Sequence, residues 1–176
     1  MENDAFNEAK KLLMDSQTLV HYDDTLPLFL SCDASSYGAG AVLSHRIDGH
    51  DRPVAFASCT LTKPLCNYLQ SDKEAFSIIF GLKKCHQFLY GRSLTFITDH
   101  KPLLELLGPH RPVPVHAAAQ IQHRALILAA YNYSIESTLR LIWMQMECLT
   151  FLLHSFGIQC LPMRIVGSLN LRNWYP

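Results

Sequence analysis

The stretch Leu26-Pro27-Leu28-Phe29-Leu30-Ser31-Cys32-Asp33-Ala34-Ser35-Ser36-Tyr37-Gly38-Ala39-Gly40-Ala41-Val42-Leu43-Ser44 decides the fold. Residues 26–32 are a short apolar run suited to a buried strand, closed by Asp33. Residues 38–44 read as a second strand, whose small residues let a backbone or a ligand approach closely. Ile47-Asp48-Gly49-His50-Asp51 has the composition of a hairpin turn, and residues 53–58 follow as a third strand. Three strands joined by short turns predict an antiparallel meander.

Outward from this core the period changes. Ala75, Ile78, Ile79, Leu82, His86 and Leu89 trace a helical stripe, with Lys83, Lys84 and Gln87 on the other side. Ser71 with Glu74 three residues on has the spacing of a capping box, and Gly91 ends the helix. A fourth strand is expected over 94–98, a short helix over 101–107, a stiff loop containing Pro109, Pro112 and Pro114, a helix from about 115 to 130, and a fifth strand over 131–136. Upstream, Ala5, Ala9, Leu12 and Leu13 predict a helix over 5–20, and residues 21–25 a polar break. Tyr22-Asp23-Asp24 reads as a turn.

Composition limits the function. The chain has 176 residues, 49% hydrophobic and 17% charged, which suits one folded domain rather than a disordered chain. Fifteen Lys+Arg against fifteen Asp+Glu exclude a polybasic binder that works by bulk charge, though not a local basic patch. Six Cys without a Cys-x-x-Cys pair argue against zinc and against a disulfide framework, and suggest reduced thiols in an intracellular protein. The acidic N-terminus lacks an export signal. The apolar run over 141–163 is interrupted by Gln145, Glu147, His154, Gln159 and Pro162, so no membrane span is expected. No Gly-x-Gly-x-x-Gly, P-loop or Gly-x-Ser-x-Gly supports a small metabolic enzyme.

Asp33 and Asp99 each close a predicted strand, and Glu74 opens the long helix. Sites collect where strands of an open sheet end, so the three acids could converge. Clustered carboxylates raise one another's pKa, and a pair of divalent cations roughly 4 Å apart would neutralise them and clamp a phosphoryl group. Oxygen ligands favour Mg²⁺ or Mn²⁺. Taken singly, Asp33 reads more simply as a turn residue, Glu74 as a helix cap and Asp99 as the N-cap of the helix at Lys101.

Six blocks occur in order: the segment 32–44 quoted above, Pro53-Val54-Ala55-Phe56-Ala57-Ser58, Asn67-Tyr68, Lys73-Glu74-Ala75, Phe88-Leu89-Tyr90-Gly91-Arg92 and Thr98-Asp99-His100-Lys101-Pro102-Leu103. Together they resemble the RNase H domain of gypsy-type LTR retrotransposon polyproteins. The resemblance implies an α/β, ribonuclease-H-like mixed five-stranded sheet with flanking helices. It implies hydrolysis of the RNA strand of an RNA–DNA hybrid with two Mg²⁺ (or Mn²⁺) ions. Asp33, Glu74 and Asp99 become the catalytic metal ligands, and Arg92, His100 and Lys101 candidate phosphate contacts. Residues 1–25 resemble the tether that follows a reverse transcriptase, here absent, and 26–136 the domain itself.

The pattern breaks after Glu136. The family's fourth carboxylate, in an Ala-Asp-Ala-Leu-Ser-Arg-like segment, has no counterpart, and residues 137–176 form a divergent tail, so the C-terminal helix is expected to be lost or replaced. Leu65 stands where an acid is common, and Gln120-Ile121-Gln122-His123-Arg124 where the family tends to show Arg-Ile-x-Arg-Trp. Trp143-Met144-Gln145-Met146-Glu147 must be encoded TGG-ATG-CAR-ATG-GAR. Moving the frame back by one base gives Asp-Ala-(Asp or Asn)-Gly, which resembles the missing motif. A frameshifted tail is one expectation. The competing reading is a catalytically inactive remnant that binds nucleic acid or protein, or has no function.

Overall fold

A computed structural model describes residues 19–100, 102–103, 119–137 and 160–165. The meander is present: β1 (Leu28–Ala34), β2 (Gly38–Ile47) and β3 (His50–Thr60) pair antiparallel in sequence. Asp48 and Gly49 both take positive φ, 52° and 76°, the backbone that a two-residue hairpin turn demands. The β1–β2 turn is closed by Ser35, whose Oγ accepts the amides of Tyr37 (3.2 Å) and Gly38 (3.0 Å). β1 reaches further than the apolar run alone suggests, so Asp33 lies inside the strand, opposite Gly40.

Two helices follow, α1 (Lys63–Cys66) and α2 (Gln70–Leu89), then β4 (Ser93–Thr98), α3 (Ala119–Leu128) and β5 (Asn132–Ser137). β4 adds parallel to β1, and β5 parallel to β4. These five strands form the expected mixed sheet, three antiparallel and two parallel. A sixth strand, β6 (Cys160–Ile165), pairs antiparallel with the outer edge of β3, giving the order β5-β4-β1-β2-β3-β6. Part of the divergent tail is therefore built into the sheet.

Alternation along the strands sets the core. Leu28, Leu30 and Cys32 of β1, with Ala41 and Leu43 of β2, face Ala75, Ile78, Ile79 and Leu82 of α2. Gly81 lets α2 approach closely: a Cβ there would stand 2.9 Å from both Ala41 Cβ and Cys32 Sγ. A second, smaller cluster of Ala34, Ala39 and Leu61 receives Leu65, which accounts for an apolar residue where the family favours an acid.

Three sequence expectations need correction. Ser71 is not an N-cap: α2 begins at Gln70 behind Leu69, with no side-chain cap, because Gln70 is already engaged with β1. His86 does not extend the apolar stripe; it is exposed, and its Nδ1 lies 2.7 Å from the Tyr131 hydroxyl. The expected 5–20 helix does not include residues 19 and 20, since the Val20 amide instead donates to Pro53 O at 2.8 Å. Most of that helix, and of the 101–107 helix, lies outside the described residues. Of Tyr22-Asp23-Asp24, only Asp24 enters a turn, shared with Thr25, whose amide donates to Asp23 Oδ1 at 2.8 Å. No helix among the described residues is long and apolar enough to cross a membrane.

Candidate active site

Asp33 sits at the C-terminal end of β1, and Asp99 directly follows β4. Since β1 and β4 are parallel neighbours, paired from Leu28↔Leu94 to Ser31↔Ile97, both acids emerge at the same end of the sheet. Glu74 stands one turn into α2, 4% exposed. Its Oε1 accepts a hydrogen bond from Gln70 Nε2 at 2.6 Å, and the same Nε2 donates to Ala34 O at 2.6 Å. Its Oε2 is buried without a hydrogen-bond partner.

The electrostatics link the three acids. The Glu74 carboxyl is pushed from the ordinary 4.5 up to about 8. Burial contributes most and the Asp33 charge next, the Gln70 bond opposes the rise, Asp99 adds to it, and a backbone bond from Ala34 opposes it. Asp33 therefore acts on Glu74 more strongly than the exposed Asp99 does. Cys32, beside Asp33, is no nucleophile: burial first, then Cys85, Glu74 and Asp33, hold its thiol well above the usual range.

The oxygen donor set and the orphaned Glu74 Oε2 fit a hard divalent cation. Among the described residues, however, no three His, Cys, Asp or Glu side chains already stand close enough to hold an ion as they are. The acids share a charge field without forming an ion-sized cage.

The expected phosphate contacts divide. His100 follows Asp99 at the same sheet end, with its amide on Thr98 Oγ1 at 3.1 Å and its Nε2 buried without a partner. Lys101 lies outside the described residues. Arg92 is a correction: it precedes β4, at the end of the strand opposite Asp99, and its guanidinium is already committed. Nη1 donates to the Tyr22 hydroxyl at 2.8 Å and Nη2 to Leu26 O at 2.6 Å, which fastens the chain leading into β1. Arg124, part of the segment that departs from the family, is buried and donates from Nη1 to Asp72 O at 2.7 Å, tying α3 to the first turn of α2. Sequence reasoning missed Gln70. Its i, i+4 spacing to Glu74 was the available signal.

Residues 1–96 match the family described as the RNase H-like domain found in reverse transcriptase. The chain belongs to that family. This RNase H-like domain is 40% identical over 105 residues to the retrovirus-related Pol polyprotein from transposon opus of Drosophila melanogaster, covering 59% of the chain and 10% of the relative. It is 36% identical over 104 residues to the corresponding polyprotein from transposon gypsy of the same organism, covering 58% and 10%. The chain thus spans about a tenth of the length of these relatives. Among solved structures, the foamy viral protease-reverse transcriptase in complex with RNA/DNA hybrid superposes with a TM-score of 0.54 at 17% identity, covering 70% of this chain and 16% of that one. At that identity the RNase H-like domain shares the fold.

Proposed function

We propose that this RNase H-like domain hydrolyses the RNA strand of an RNA–DNA hybrid. The observation that carries the reading is Glu74: a buried carboxylate with one orphaned oxygen, in the field of two further acids at one end of a parallel strand pair. Asp33, Glu74 and Asp99 would hold Mg²⁺ or Mn²⁺, which supplies an activated water and charge neutralisation at the leaving 3′ oxygen. The chain's own residues do the rest. Ser35 and the β1–β2 turn fix the end of β1 and so the direction of Asp33. α2 keeps Glu74 out of bulk water, so its carboxyl favours the protonated form until a cation takes the proton's place. His100 beside Asp99 would meet a phosphate or sugar oxygen once its buried Nε2 is turned outward.

A second reading has its own support. The family's fourth carboxylate is missing from the sequence, and the described acids form no ready-made cage. A remnant that binds hybrid without cutting it fits both facts. We read residues 1–25 as a tether of the kind that follows a reverse transcriptase, 26–136 as the domain, and 137–176 as a tail in a shifted frame. Sequencing the transcript tests the tail, and a neighbouring frame without a family-like segment removes that idea. Purified protein, labelled hybrid and Mg²⁺ separate the two functions. Cleavage that Asp33→Asn abolishes supports the nuclease; binding without cleavage at every Mg²⁺ and Mn²⁺ level supports the remnant.

A further inference from the structure

Gln70 contributes a single carboxamide NH₂, and both of its protons are spent on the site. One goes to Ala34 O and the other to Glu74 Oε1, each at 2.6 Å. Ala34 is the residue after Asp33. One neutral side chain therefore joins the strand that carries the first acid to the helix that carries the second. With Oε1 held, the oxygen left without a hydrogen-bond partner is Oε2.

The residue type is informative. A carboxylate that is buried, and repelled by Asp33 and Asp99 besides, is driven to rotate away or to take up a proton. A Lys or Arg at position 70 would hold it too, but would cancel the negative charge that attracts a cation. An amide donates without charge, and it does not titrate. We propose that Gln70 is a positioning residue: it orients Glu74 against Asp33 while leaving the site's charge available to a divalent ion. This inference rests on the metal-site reading given above.

The test uses the full chain with Gln70→Met, which keeps length and removes the donors, and Gln70→Lys, which keeps donors and adds charge. The first readout needs no metal: the Glu74 side-chain carboxyl is titrated by ¹³C NMR in chelator-treated protein. Loss of the donated bond in Gln70→Met is expected to raise the midpoint, whereas a side chain that packs without donating to Glu74 leaves it unmoved. The second readout is Mn²⁺ affinity by electron paramagnetic resonance. Both variants are expected to bind about tenfold or more weakly, Gln70→Met through lost orientation and Gln70→Lys through added charge. An unmoved midpoint in folded Gln70→Met overturns the proposal. If that variant does not fold, Gln70→Lys decides: wild-type Mn²⁺ affinity overturns the proposal, and weakened affinity supports it. Wild-type protein that fails to bind Mn²⁺ while the midpoint still moves refutes the metal-site reading and leaves the positioning role standing.

Discussion

Replacing Glu74 by Gln should make the protein more stable at alkaline pH. The folded-state pKa of about 8 lies above the ordinary 4.5, so the folded chain holds this proton over a range where the unfolded chain has released it. Stability from this group is full below about 4.5, falls as pH rises, and is gone above about 8. The slope between those limits is roughly 1.4 kcal/mol per pH unit, and the whole gap corresponds to roughly 5 kcal/mol. Glutamine mimics the protonated acid and does not titrate. Glu74→Gln and wild type should therefore melt together near pH 4.5 and diverge with pH. By pH 9 the variant should lead by several kcal/mol, which at about 2–4 °C per kcal/mol is a Tm difference on the order of 10 °C. The assay is a series of thermal melts by circular dichroism in chelating buffer from pH 4.5 to 9.5. Only the difference between the two proteins matters, because every other titrating group is common to both. A difference that stays constant with pH would refute the reasoning, since Glu74 would then titrate alike folded and unfolded.

The order of charge effects on Glu74 gives a second expectation: Asp33→Asn should flatten the pH dependence of stability more than Asp99→Asn, in the same melts. Arg92→Ala should lower stability by about 2–4 kcal/mol in urea unfolding, because it strips partners from Tyr22 and Leu26, while hybrid affinity stays at the wild-type value. Deleting residues 138–176 removes β6 and bares the β3 edge, so sedimentation should show concentration-dependent self-association. Adding Mg²⁺ at pH 9 should raise the Tm of wild type more than that of Glu74→Gln, as read by differential scanning calorimetry.

The fold was legible where one period ruled one segment. Alternation gave the meander, Asp48-Gly49 gave its turn, and Ile78, Ile79 and Leu82 gave the face of α2. Boundaries slipped where a tertiary contact overrode the local signal. Ser71 has the chemistry of a cap, yet Gln70 reaches across to Ala34 and the helix starts there. His86 occupies a stripe position, but Cys85, Phe88 and Leu89 carry the buried face through the last turns, and the His86 ring points outward to Tyr131 instead. β6 could not be read, because its pairing with β3 depends on a partner about a hundred residues away and not on any pattern of its own. In the site, strand ends located Asp33 and Asp99. The use of Arg92 was hidden, since a guanidinium near an acid in sequence can still be turned toward the opposite end of a strand.

Gly81 lies seven residues after Glu74, two helical turns along the same face. The missing side chain that lets α2 settle onto Ala41 and Cys32 therefore also sets how deep the carboxylate rides. The helix behaves as a lever with its fulcrum at the glycine. Even a methyl group at 81 would lift the far arm, so the height of an acid at the sheet end is governed by a residue that bears no functional group and lies buried in the core.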